Sequence, residues 1–319
     1  MDDQSGIILV ALSPNVRSCI FMMLAMASFT VNDSITKYLS ESMNTGQIML
    51  LRGILATVVI LLIARRRRAL IPVGEALHPM ILLRAIGEMG ATIIYLIALA
   101  HLPLAFTSAV FQSVPLAVTM CAALFLKETV GWRRWLAITV GFVGVLIIVR
   151  PGADGINPYA LMLLVGVGFT ACRDLATRRV PDIIPTLMIS ALTSFAVTLT
   201  GAALIVPMGG WSPVGWGEIG LLVIASLLLL TGYHFIILAM REGEISFVSP
   251  FRYTSLLWAI LLGFVIFGDI PDMLTIIGSA IVVLSGIYTL YRESVVARRG
   301  RIAASAAKLS EEAAAAEVK

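Results

Sequence analysis

Charge is scarce in this chain of 319 residues: Asp, Glu, Lys and Arg together make up 13%, against about 25% in an ordinary soluble domain. Hydrophobic residues make up 59% and the mean hydropathy is +0.97. A soluble fold of this size has too little interior to hide that much apolar side chain. Soluble enzyme, nucleic-acid binder and disordered chain are thereby excluded, and a formal charge of +4 is too slight to imply a polyanionic partner. Cysteine is scarce as well. Cys19, Cys121 and Cys172 each stand alone in an apolar run, without the CxxC or Cys/His spacing of a zinc site or redox pair. The N-terminal MDDQSGIILVALSPNVR opens with acids, and its apolar stretch is too short for a signal peptide and has no small-x-small cleavage site. The first long apolar helix is expected to be retained as targeting signal and first span. HExxH, GxSxG and the P-loop are all missing, and the loops are too short to build a catalytic cover. These absences weigh against a membrane enzyme, the main competing class, and against ATP-driven transport by this chain alone; no cofactor and no metal is expected.

What is present is length in apolar runs. Crossing a bilayer core takes about 20 apolar residues of helix. Ten such runs lie near 18–38, 46–64, 79–100, 104–126, 132–149, 158–178, 186–206, 217–240, 244–267 and 273–291. Short breaks such as Arg65–Arg68, Arg150-Pro151-Gly152 and Gly268-Asp269-Ile270-Pro271 separate them. The expectation is an all-α integral membrane protein of ten transmembrane helices. The tail after Tyr291, rich in Ala, Glu, Lys and Arg, is left open between a membrane-surface helix and disorder.

Positive residues favour the cytoplasmic side. With the N-terminus inside, 17 of the 23 Lys and Arg fall on the cytoplasmic side, and only Lys37 and Arg150 lie outside. The remaining Arg52, Arg84, Arg173 and Arg252 lie within spans. Both tails, 1–17 and 292–319, are therefore expected in the cytoplasm. The uncharged connection 207–216 holds Trp211 and Trp216, which suits an outer headgroup belt.

Residues 105–149 and 246–291 overlay at an offset of 141, matching Phe106 with Phe247, Ser108 with Ser249, and Glu128 with Asp269. Five spans per half, 18–149 and 158–291, force the halves into opposite orientations across the membrane. Inverted repeats of this kind are an architecture of alternating-access carriers.

The five-plus-five arrangement, the segment TSAVFQSVPLAVTMCAALFLKETVGWRRWLAITVGFVGVLIIVRP at 107–151 and its weaker echo at 246–291 resemble the EamA-like members of the drug/metabolite transporter superfamily. The Pro115 to Glu128 spacing is the most telling part. Within that group, RAIGEMGA at 84–91, CRDLATRR at 172–179 and PFRYTS at 250–255 look most like bacterial riboflavin transporters. The resemblance implies a carrier in the bacterial cytoplasmic membrane with riboflavin as leading solute; carriers of amino acids or other small metabolites are the alternative. Composition and periodicity do not point to a flavin.

A charge inside the bilayer is costly and marks a functional hypothesis. Seven residues qualify: Asp33, Arg52, Arg84, Glu88, Arg173, Asp174 and Arg252. Asp33 and Arg52 are equidistant from the first hairpin's centre, which predicts a structural ion pair. Glu88 and Arg252 lie at similar depths near midplane, on different halves, and are expected to meet there. Arg173 and Asp174 point about 100° apart on a helix and are expected to serve each other poorly, with Asp174 reaching Arg84 instead. Tyr95, Gln112, Tyr233, Tyr253 and Trp258 add groups that stack on and orient a planar solute. The expected substrate site is therefore Glu88, Tyr95, Gln112, Tyr233, Arg252, Tyr253 and Trp258. Gly141, Gly144, Gly278 and Gly286 are read as close-packing positions between helices, and Pro115 and Pro250 as sites where helical carbonyls are freed.

Overall fold

In the computed structural model, residues 13–72, 74, 78–128, 130–150, 157–181, 183–242, 244–292 and 295 are described. The tail ends and residues 151–156 lie outside them. Ten helices are long and apolar enough to cross a membrane: α1 Pro14–Leu39, α2 Thr45–Arg66, α3 Pro79–His101, α4 Leu104–Phe125, α5 Trp132–Val149, α6 Pro158–Arg178, α7 Thr186–Leu204, α8 Trp216–Arg241, α9 Ser249–Phe267 and α10 Met273–Arg292. The sequence reading began the ninth span at 244; Ile245–Val248 forms a separate turn of helix ahead of α9.

Local chemistry sets the ends. Ser13, Asn44, His78 and Asn157 each accept a hydrogen bond from a first-turn N–H, and Pro14, Pro79 and Pro158 follow directly where no helical N–H is needed. At the other end of α3, Leu102 is extended ahead of Pro103, as the residue before a proline prefers. Lys37 Nζ donates to the carbonyls of Leu99 and Leu102 at 3.0 and 2.7 Å and lies 5.4 Å from the Phe267 ring centroid. A cation thus meets the unpaired carbonyl end of α3.

Two spans are broken in mid-course. α4 consists of Leu104–Phe111 and Val114–Phe125, with Pro115 unable to donate back to the Phe111 carbonyl. α9 opens as a 3-10 turn, Ser249–Tyr253, around Pro250, and becomes α-helical at Thr254. In the 141 register the restart points, Val114 and Thr254, agree to within one residue although the prolines do not coincide. A second correspondence is conformational. Lys127, just beyond α4, has φ 55°, and Gly268, just beyond α9, has φ 69°; they share one position in that register.

Three pairs of spans pack most closely, α1 with α8, α2 with α7 and α3 with α6, while α4 packs against both α6 and α9, α9 also against α1, and α5 meets α10 through glycines. Lipid offers no hydrophobic gain for helix association, so close backbone approach and internal hydrogen bonding must hold the bundle together. Thr30, Ser34, Thr36, Thr170, Thr193, Ser226 and Thr289 accordingly return their hydroxyls to the carbonyl four residues back. A methyl at Gly144 would sit 2.9 Å from both Gly278 O and Ile281 Cγ2. Gly144→Ala is thus expected to force α5 from α10 and destabilise by about 1–3 kcal/mol; thermal unfolding in detergent checks this, and an unchanged Tm would contradict the seam.

The loop between α7 and α8 is seated rather than free. Gln47, fully buried at the start of α2, donates to Ser212 O at 2.8 Å and accepts from Ser212 N at 2.9 Å, while Asn44 Nδ2 donates to Gly210 O. Trp211 and Trp216 project outward, 56% and 88% exposed.

Candidate solute site

Polar side chains from both halves converge on one region between α1, α2, α3, α6 and α8. Tyr95 on α3 is held edge-on to Phe111, ring centroids 4.6 Å apart, and its hydroxyl donates to Asp33 Oδ2 at 2.7 Å. Asn32 Nδ2 donates to the other Asp33 oxygen at 3.0 Å. Tyr233 on α8 is held edge-on to Phe29 at 5.2 Å. It is 52% exposed yet lies within electrostatic reach of Glu88, Arg173, Arg84 and Arg52. Tyr233 is thus placed among partly buried charges contributed by α2, α3 and α6.

The charge network differs from the depth-based expectation. Glu88 takes Arg173, not Arg252: Arg173 Nη1 lies 3.3 and 3.4 Å from its two oxygens. Equal height was insufficient, because α3 packs on α6. Gly87, the residue before Glu88, brings the two backbones together: a methyl there would lie 2.9 Å from Arg173 N. Arg173 also binds Asp174, through Nε at 2.9 Å and Nη2 at 2.8 Å. The long guanidinium arm folds back across the angle that separates neighbouring helical residues, which overturns the expectation that these two serve each other poorly. Arg84 donates to Thr177 Oγ1 at 2.5 Å rather than to Asp174.

Asp33 and Arg52 likewise form no ion pair within 4.0 Å. Arg52 Nη1 donates instead to Thr36 Oγ1 at 2.9 Å, one turn beyond Asp33 on α1, and its buried Nε–H has no acceptor. The two charges still lie within electrostatic reach of each other. Arg252 is exposed and makes no hydrogen bond or ion pair with a described residue.

The remaining expected site residues separate from this cluster. Gln112 Nε2, at the break in α4, donates to Ser255 Oγ at 2.7 Å and to Tyr253 O at 3.4 Å, tying the two broken spans together. Tyr253 is buried with its hydroxyl against Gly286 of α10, the close packing expected of that glycine. Trp258 packs with the Met22, Met26 and Ala239 cluster between α1 and α8. Of the seven expected substrate residues, Glu88, Tyr95 and Tyr233 come together; Arg173, Asn32, Thr36 and Thr177 were missed. The 141 register carried a signal for all four, since it places Asn32 over Arg173 and Thr36 over Thr177, with Asp33 over Asp174 beside them. No group of three His, Cys, Asp or Glu among the described residues is arranged to hold a metal.

Residues 16–150 match the EamA-like transporter family. An S-adenosylmethionine uptake transporter of Rickettsia conorii is 25% identical over 285 residues, 88% of this chain and 94% of that protein. The pseudopaline exporter CntI of Pseudomonas aeruginosa is 28% identical over 269 residues, covering 82% and 92%. A riboflavin transporter of Vibrio cholerae is 28% identical over 295 residues, covering 90% and 97%. A solved crystal structure shares the fold with a TM-score of 0.58 at 16% identity, covering 86% of this chain and 96% of that one.

Proposed function

We propose that this chain, which carries an EamA-like transporter domain over residues 16–150, is a secondary carrier that moves a small metabolite across the bacterial cytoplasmic membrane by alternating access. The observation that carries this reading is the polar cluster around Tyr233, enclosed by spans of both halves. Charged groups gathered between spans of both halves are what a carrier site requires, and they are costly in a bundle that only packs.

The inverted repeat draws support from contacts in the 141 register. Thr57 Oγ1 meets Thr198 Oγ1 at 3.3 Å, and Gln112 bonds to Tyr253 O; each pair is separated by 141 residues. Two equivalent residues touch only near an axis relating the halves. Off that axis, contacts should come in twos, and Thr57 with Ser194 at 2.8 Å is the counterpart of Gly53 with Thr198. Lys37 and Asp269, within electrostatic reach at one end, correspond to Arg178 and Glu128, 3.9 Å apart at the other.

Metabolites bearing charged groups fit this site best. Among the described residues Arg52 and Arg84 each lack a carboxylate within 4 Å and hold a buried Nε–H without an acceptor, and the S-adenosylmethionine transporter of Rickettsia conorii falls in with that chemistry. Riboflavin is the second reading. It is favoured by the Vibrio cholerae relative, which aligns with 90% of this chain, and by the two ring-locked tyrosines. Proteoliposomes containing the purified protein should accumulate one of these solutes saturably and release it chemically unchanged; conversion to a product would instead make the protein an enzyme.

Charge placement also supports cytoplasmic termini. In a chain with Cys19, Cys121 and Cys172 replaced, a single cysteine at Gly210 should react with an impermeant maleimide added to intact cells, and one at Ala69 should not. Labelling of the Ala69 variant from outside would reverse the orientation.

A further inference from the structure

Asp33 and Arg52 stand close enough to feel each other's charge and yet are kept from pairing. Opposite charges in a low-dielectric interior ordinarily close to a bidentate contact. Here each is held back by neutral groups. Asp33 is engaged by the Tyr95 hydroxyl and the Asn32 amide, and Arg52 by the Thr36 hydroxyl. Thr36 is itself tied at 2.8 Å to the Asn32 carbonyl, so the backbone of α1 fixes the oxygen that restrains Arg52.

The unused atoms are informative. Thr36 occupies Nη1 of Arg52, and the buried Nε–H is left without an acceptor. Nε and Nη2 form the edge of a guanidinium that takes both oxygens of a carboxylate. Asp33 receives one hydrogen bond on each oxygen, and a carboxylate has lone pairs for about four. The nearby Glu88 is already engaged by Arg173. Side by side, then, are a guanidinium edge whose Nε–H has no acceptor and a carboxylate with acceptor capacity to spare.

We propose that Asp33 and Arg52 form a divided ion pair that receives the zwitterionic head of an α-amino-acid-bearing metabolite, with its carboxylate on the Nε and Nη2 edge of Arg52 and its ammonium on Asp33. An α-amino acid separates its two charges by a single carbon, so its site must present both complementary charges together without letting them neutralise each other. A solute with only one of the two groups leaves the other side chain unmet. This assignment names the solute class of the carrier proposed above and rests on that reading.

The test measures binding to the purified full-length protein in lipid nanodiscs by calorimetry. The probes are S-adenosylmethionine, its decarboxylated derivative, its 2-oxo derivative and the twenty common amino acids, with neutral riboflavin alongside. At least one zwitterion should bind, and loss of either head group should weaken binding at least about tenfold. Arg52→Gln should abolish the penalty for removing the carboxylate, and Asp33→Asn that for removing the amine. Arg52→Lys keeps the charge without the fork; it should insert and fold normally and lose the same discrimination as Arg52→Gln, which separates recognition from misfolding. The assignment is overturned if no zwitterion is preferred over its truncated derivatives. Riboflavin binding alone would leave the carrier standing without the divided pair, and failure of every solute to bind or move would remove both.

Discussion

Arg173→Gln is expected to lower stability by about 2–3 kcal/mol, below the cost of breaking a fully buried ion pair because these side chains are partly exposed, and to abolish solute uptake. Among the described residues Arg173 is the one cation within 4 Å of both Glu88 and Asp174, and its removal leaves two carboxylates uncompensated between α3 and α6. Glu88→Gln or Asp174→Asn should each cost only about 1–2 kcal/mol, because Arg173 keeps the other carboxylate. Thermal unfolding of the three variants in nanodiscs, read together with uptake per folded molecule, gives the comparison. Equal losses in all three would mean that Arg173 is not the shared partner. The sequence-based pairing of Glu88 with Arg252 makes the opposite forecast, that Arg252→Gln is the damaging change; the exposed, unbonded Arg252 predicts near-normal stability for that variant.

Gln112→Leu is the second substitution with a large expected effect, and it should act on transport more than on folding. The Gln112 amide joins the breaks in α4 and α9 through Ser255 Oγ and the Tyr253 carbonyl. Leucine is similar in volume and keeps the packing, but it removes both donations and leaves the Ser255 hydroxyl without the donor that Gln112 supplies. A loss of about 1–3 kcal/mol follows from one unsatisfied buried group. If the two broken spans move as a unit during the change of access, uptake should fall by about tenfold or more, as a barrier raised by 1.4 kcal/mol implies. Gln112→Asn with Ser255→Asn offers a shorter amide a longer partner, and recovery in that double variant would support the bridge. Full uptake by Gln112→Leu would sink it.

The spans were legible because length and hydropathy alone identify them: 132–149 and 158–178 coincide with α5 and α6. The ninth start was misplaced because Pro250 imposes a 3-10 turn that apolar composition does not register. Partners among the charges were less legible. Counting residues from a span's end estimates height along the membrane normal, and it brought Asp33 and Arg52 together without finding the Thr36 hydroxyl to which Arg52 donates. Which way a side chain points, and which helix lies beside it, depends on the neighbour's small residues. Gly87 against Arg173 and Gly90 against the Phe169 ring select α6 for α3, a complementarity that belongs to both surfaces at once. Trp258 and Tyr253 were grouped with the site by depth and aromatic character, yet α9 turns one toward α1 and α8 and the other toward α10.

The turn after α4 and the turn after α9 use the same left-handed backbone, built once on Lys127 and once on Gly268. A side chain in that conformation costs roughly 1–2 kcal/mol that glycine avoids. The two halves are therefore unequal as materials: one stores distortion at its edge and the other has relaxed it. For anyone seeking a sturdier preparation of this protein for crystallography, Lys127→Gly copies a solution its own second half already uses.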